Sequence, residues 1–290
     1  MKSTLKQIRN IEISTKKLID GLITGNYHSV FKGSGIEFSE IQEYKPGDDI
    51  RNIDWNVTAR FNEPFIKQFI EERDLQVYFI IDISSSATFG NQISKKQKTT
   101  EITASLAYSA IKNNDNVGIF LTTDKIEKFI PARKGRKHLL TIIDQLLSFK
   151  PESKKTNLNC ALMQISKIIK RRSVIFIVSD FYTDEFTKPL KILKNNQDII
   201  AIKVNDIREI DIPEIGLIEL EDPETEEQIL VDTSNKEFQE NYKKIIHEHN
   251  NKLKKVFRKY KIDTIEITTE QNYEKPLKKF FKLRKQRINR

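Results

Sequence analysis

An α/β fold built on a mainly parallel sheet is predicted by three features of this 290-residue chain. Several apolar runs are continuous instead of alternating, as strands buried on both faces require. Stretches with helical spacing of apolar residues lie between them, so strand and helix alternate. Two of the runs, "LQVYFIID" and "SVIFIVSD", end on aspartate, and in an open parallel sheet the carboxyl ends of the strands share one edge.

Taken in order, Leu5, Ile8, Ile11, Leu18, Ile19 and Leu22 predict an amphipathic N-terminal helix closed by Gly21 or Gly25. The stretch from Asn26 to Asp74 is rich in Gly, Asp and aromatic residues and has no long regular period. It is expected to be irregular or β and, with the helix, to pack on the α/β domain. This places an N-terminal segment at 1–74 and the α/β domain at 75–290. The first buried strand ends at Asp82, and a helix follows from about 94 to 113. "NVGIFLTT" is a second strand, and "KIEKFIP" pairs beside it as a short hairpin. "RKHLLTIIDQLLSF" and "LNCALMQISKIIKRR" carry helical apolar faces before the third buried strand, "SVIFIVSD". A helix near 185–195 leads to the strand "DIIAIKV". The charged hairpin "IGLIEL" and "EQILVD" precedes a long helix from Phe238 to Tyr260 and a last strand, "DTIEIT".

Fifty Lys and Arg against forty-one Asp and Glu leave a net charge of +9, which suits an acidic partner, nucleic acid or an anionic surface. A solvated lysine-rich surface is the simpler explanation of the charge. From Lys275 on there are eight Lys or Arg and no acid, yet Leu277, Phe280, Phe281 and Ile288 form the packing face of a terminal helix. The single cysteine, Cys160, excludes an internal disulfide framework and fits a reducing compartment. With no apolar run near the length of a membrane span and a charged N-terminus, a cytoplasmic protein is expected.

The shared strand edge turns distant positions into neighbours: Asp82, Ser84 and Ser86 after the first strand, Thr156 in a polar loop opening a helix, and Asp180 after the third strand. All five offer hard oxygen ligands without imidazole or thiolate, which suits Mg²⁺ or Mn²⁺ over zinc or copper. The bland alternative is that the serines cap a turn and Asp180 caps the following helix. Ser85, between the two predicted ligands, has no assigned role.

Asp82-x-Ser84-x-Ser86, with Thr156 and Asp180 downstream, resembles the metal-ion-dependent adhesion site of von Willebrand factor A domains, which have a Rossmann-like fold. The resemblance implies that Ser84, Ser86 and Thr156 ligate the metal, that Asp82 and Asp180 hold waters, and that a partner's carboxylate completes the coordination. Lys154 and Lys155 stand before Thr156, where that family usually has glycine. A second stretch, "GSGIEFSEIQEYKPGDDIRNIDWNVTAR", is similar to the signature of bacterial domain-of-unknown-function family fifty-eight, which precedes a von Willebrand A-like domain. That resemblance implies work beside a MoxR-type AAA ATPase in remodelling or activating client complexes. From its own chemistry, Gly47 permits a turn, while Asp48, Asp49, Arg51, Asp54 and Arg60 suit a charged network with Trp55 as its buried anchor.

The favoured expectation is therefore a non-catalytic, metal-dependent protein-interaction module. The alternatives are a metal-dependent phosphatase or hydrolase using Asp82, or a basic nucleic-acid-binding protein. Phosphatase chemistry at a strand-end aspartate wants a second acid where Ser84 stands. There is no Walker-type phosphate loop and no aromatic-basic nucleic-acid motif. His28, His138, His247 and His249 make no convincing ligand pair and are expected to be exposed.

Overall fold

The computed structural model describes residues 37–61, 63–70, 75–88, 94–183, 185–222, 224 and 227–288. The expected N-terminal helix, His28, and the glycines Gly33 and Gly35 lie outside the described residues. Two compact units are present, one within residues 31–75 and the other carrying residues 76–290.

In the smaller unit, β1 (Glu37–Glu43) and β2 (Phe65–Ile70) pair antiparallel, with a register shift between Phe38 and Glu40. Gly47 turns the chain at φ 110, a left-handed value that a side chain would strain. Three acids then cap backbone amides. Asp48 accepts from the Lys45 N–H at 2.8 Å, and Asp49 from Arg51 at 3.0 Å, opening the one-turn helix Ile50–Asn52. Asp54 accepts from Asn56 at 3.0 Å and Val57 at 3.3 Å, which starts α1 (Trp55–Phe61). These carboxylates thus organise turns where the sequence predicts a side-chain charge network. Trp55 also departs from expectation: it is 70% exposed, not a buried anchor. A helix turns about 100° per residue, so Trp55 lies about 200° from the half-buried Val57 and faces away from the inward side of α1.

The larger unit has the α/β fold that the sequence predicts. In chain order its elements are β3 (Gln76–Asp82), α2 (Lys95–Lys112), β4 (Asn116–Thr122), β5 (Ile126–Arg133), α3 (Arg136–Ser148), α4 (Leu158–Ile168) and β6 (Val174–Ser179). Then follow α5 (Thr187–Asn196), β7 (Asp198–Asn205), α6 (Ile207–Ile210), β8 (Leu217–Glu221), β9 (Gln228–Asp232), α7 (Lys236–Lys259), β10 (Asp263–Thr268) and α8 (Glu274–Ile288). Six strands form one sheet in the order β10-β7-β6-β3-β4-β5, parallel except for the edge strand β5. Numbered within the sheet this is the doubly wound order 3-2-1-4-5-6, whose direction of winding reverses between β3 and β6.

Continuous apolar strands are satisfied by helices on both faces. Tyr78, Ile80, Phe120, Ile175 and Ile177 meet Leu158, Leu162, Leu190 and Phe257 from α4, α5 and α7. The alternate residues point the other way, and α2 packs against β3, β4 and β7. Phe79 and Phe176, facing each other across β3 and β6, stack at 5.1 Å. The basic C-terminal stretch is helical as expected, with Leu277, Phe280 and Phe281 buried. Among the described residues, no helix is long and apolar enough to cross a membrane.

Candidate functional site at the strand switch point

Asp82 ends β3, and the chain leaves strand geometry at once because the aspartate carboxylate captures it. Its Oδ1 accepts the Ser84 N–H at 3.0 Å, making a tight turn, and its Oδ2 accepts the Ser179 hydroxyl from neighbouring β6 at 2.8 Å. The turn brings the Ser84 and Ser86 hydroxyls to 3.1 Å from each other. Ser85 points elsewhere: its N–H (3.2 Å) and hydroxyl (2.8 Å) both donate to the Lys154 carbonyl. The serine without a role in the sequence therefore stitches this turn to the loop that carries Thr156. Beside Asp82 and Ser84 lies a cavity of about 320 Å³, walled in part by Lys96, Thr99, Thr100 and Lys154.

Asp180 follows β6 on the other side of the reversal. It does not cap α5, which begins after Phe186 without a side-chain cap. Its Oδ1 instead accepts the Tyr182 N–H at 3.2 Å. Between them Phe181 adopts φ 62, a left-handed conformation that costs a bulky residue about 1–3 kcal/mol. The surroundings hold it there. The Phe181 N–H donates to Ser179 Oγ at 2.9 Å, its carbonyl meets His249 Nε2 at 3.1 Å, and its ring packs edge-on to Phe257 at 5.3 Å. Ser179 links the two halves of the site by receiving from Phe181 and donating to Asp82.

Lys95, the first residue of α2, is 3% exposed and donates to Asp180 Oδ2 at 2.8 Å and Glu209 Oε1 at 2.6 Å. An ammonium at a helix N-terminus opposes the macrodipole. Burial also pulls its pKa down, but Asp180 and Glu209 outweigh that and hold it above the ordinary value. Asp82 has a different balance. Burial first, and then the nearby Asp180, push its carboxyl up to about 6, against the bonds from Ser84 and Ser179.

Thr156 lies just before Asn157, which caps α4 by accepting the Cys160 N–H at 2.9 Å. The Ser85–Lys154 stitch brings this loop against the serine turn, but the Thr156 hydroxyl is bonded to Glu224 Oε1, and its N–H donates to Glu224 Oε2 at 3.1 Å. Lys154 and Lys155, the departure from the glycine pattern, have exposed side chains. The structure thus gathers Asp82, Ser84, Ser86 and Asp180, and carries Thr156 two residues beyond the Lys154 carbonyl that Ser85 holds, with its polar atoms turned to a carboxylate. Ser179, Lys95, Glu209 and Glu224 are site residues that the sequence alone did not single out. Only Ser179 carried a signal, as the hydroxyl beside Asp180 in "IVSD".

Among the described residues, no three His, Cys, Asp or Glu side chains are grouped to hold a metal ion, so a cation here would depend on hydroxyls. The donors fit that chemistry. Ser84, Ser86 and Thr156 offer neutral oxygens, Asp82 and Asp180 offer charge, and burial beside Asp180 makes a positive neighbour favourable to the Asp82 carboxylate. The histidines stay out of it. His138 and His249 are half-buried, not exposed, and each meets a backbone carbonyl, of Val117 at 2.7 Å and Phe181 at 3.1 Å. His247 is exposed.

A family model described as "Protein of unknown function DUF58" matches residues 40–252. The chain belongs to the DUF58 family. An uncharacterized protein of Mycobacterium tuberculosis is 28% identical to this DUF58 chain over 222 residues, covering 75% of this chain and 70% of that one. The uncharacterized protein YeaD of Bacillus subtilis is 25% identical over 108 residues, 37% of this chain and 25% of its own. Among solved structures, the DUF58 chain is similar to the conserved hypothetical protein BatB of Bacteroides thetaiotaomicron, with 12% identity, a TM-score of 0.43, and 73% and 99% of the two chains covered. It is also similar to the SpRpn10 VWA domain, with 13% identity, a TM-score of 0.38, and 70% and 93% covered.

Proposed function

We propose that this DUF58 chain is a non-catalytic protein-interaction module that docks an acidic side chain of its partner through a divalent cation, Mg²⁺ or Mn²⁺, at the strand switch point. The observation that carries the reading is the pair of serine hydroxyls, 3.1 Å apart, in a turn held by buried Asp82, with Asp180 across the reversal. Ser84, Ser86 and Thr156 would hold the ion, with Asp82 and Asp180 balancing its charge. The bound ion supplies a Lewis-acidic position for a carboxylate. The chain's own part is to fix the hydroxyls and keep the carboxylates buried. The Asp82 oxygens are held by the Ser84 N–H and the Ser179 hydroxyl, a poor disposition for attack by the carboxylate.

By its resemblance to the family's signature, we place the module with a MoxR-type AAA ATPase acting on client complexes. One exposed cysteine, Cys160, fits a reducing cytoplasmic setting. Titration calorimetry with Mg²⁺ and Mn²⁺ tests the metal. Wild-type chain should give a binding heat that Ser84→Ala/Ser86→Ala and Asp82→Ala lose, and equal heats in all three would end the reading. Affinity purification with and without EDTA tests the partner, with an AAA ATPase expected to elute only where metal is retained.

A further inference from the structure

The β8–β9 hairpin is closed on itself at its base and tethered at its far end. At its base, Thr233 Oγ1 donates to the Gly216 carbonyl at 2.8 Å and receives the Ile215 N–H at 3.0 Å, with Thr233 fully buried. Along the strands burial is slight: Leu217 is 69%, Ile229 59% and Leu230 73% exposed. At the far end, Glu224 reaches Thr156, 68 positions away in sequence, and grips it with both carboxylate oxygens, one on the hydroxyl and one on the N–H. The Asp222 carboxylate receives the Glu224 N–H at 2.8 Å and sets the direction of the glutamate.

We propose that Glu224 is a built-in occupant of the docking site, holding Thr156 where a partner's acidic side chain would bind, so that the partner enters by displacing Glu224. This rests on the docking function proposed above and adds its regulation. Glu224 holds the Thr156 hydroxyl that the cation would take and brings a carboxylate to the place where a partner would present one, so the two compete for one position. The slight burial of the strands makes the displacement feasible, because a segment with few buried apolar contacts opens locally at low cost. The exposed Leu217, Ile229 and Leu230 offer the displaced hairpin an apolar surface against the same partner. The self-blocked state reduces apparent affinity by the fraction of molecules that are open.

The test uses a fluorescent hexaglutamate peptide, titrated by anisotropy into the full chain with and without Mn²⁺, alongside calorimetry of Mn²⁺ alone. Wild type is compared with Glu224→Ala and with Glu219→Ala, which removes the same charge from an exposed position on β8. Glu224→Ala should bind the peptide about tenfold more tightly than the other two, as expected if blocked molecules outnumber open ones by that factor. Equal affinity of Glu224→Ala and Glu219→Ala in both buffers overturns the inference. So does loss of Mn²⁺ binding in Glu224→Ala alone, which would make Glu224 a ligand instead of a competitor. Absence of Mn²⁺ heat in all three proteins removes the metal. Tighter peptide binding by Glu224→Ala without Mn²⁺ would still uphold the role of Glu224.

Discussion

Asp82 and Asp180 lie on either side of the winding reversal, and among the described residues only Asp180 is bonded to a lysine. The raised pKa of Asp82 has a definite sign for stability. Its folded value of about 6 lies above the ordinary 3.8, so the ionised carboxylate opposes folding above pH 6. Metal-free protein regains up to about 3 kcal/mol from this group as pH falls through 6 toward 3.8. Asp82→Asn removes the charge while keeping the shape. In EDTA at pH 7.5 it should unfold about 1–3 kcal/mol later than wild type in a urea titration, and a lower midpoint would contradict the electrostatics. Lys95→Met should do the reverse, costing about 3–5 kcal/mol by leaving buried Asp180 and half-buried Glu209 without their cation. A change within ~0.5 kcal/mol, as at an ordinary surface lysine, would show that the ion pair is idle. The sequence predicts Asp82, Ser84, Ser86, Thr156 and Asp180 together because strand ends of a parallel sheet share an edge. It did not mark Lys95, since one lysine among "SKKQK" looks like any other until its partners are in place.

At the scale of elements, the strands of the main sheet were legible because apolar runs buried on both faces leave no polar alternation to confuse them. β1 and β2 were hidden for the converse reason: the register shift between Phe38 and Glu40 breaks the period of two. α2 buries Thr99, Thr100, Thr103, Ser105 and Ser109 beside Ile102, Ala104, Leu106 and Ala107, so small polar side chains share its inner face with apolar ones. Two of these hydroxyls are bonded within the helix, Thr100 to the Lys96 carbonyl and Ser105 to that of Glu101, both at 2.8 Å. α8 was readable despite its charge, since Leu277, Phe280 and Phe281 recur at helical spacing. Phe281→Ala should therefore cost about 3–5 kcal/mol in chemical denaturation, while Lys279→Ala changes stability by less than about 0.5. Comparable losses at both positions would mean that the helix is held by charge instead of packing.

For the molecule as a whole, the doubly wound order follows from alternation of strand and helix, but the composition of the site edge does not. Glu224 and Glu209 come from short, charged connections whose acids look interchangeable with the rest of a chain that is 31% charged. Trp55 gives the opposite lesson: the only tryptophan suggests an anchor, yet helix phase turns it outward. The left-handed Phe181 also gives the site a place in time. Asp180 is aimed by a conformation that its own neighbourhood in sequence disfavours, and two of the groups that hold it, His249 and Phe257, come from α7, nearly seventy residues or more downstream. A chain emerging from the ribosome can pair β3 with β6 long before α7 exists. The strand-switch site is thus among the last parts of the protein to mature, and the proposed docking of a partner has to wait until the long helix has docked.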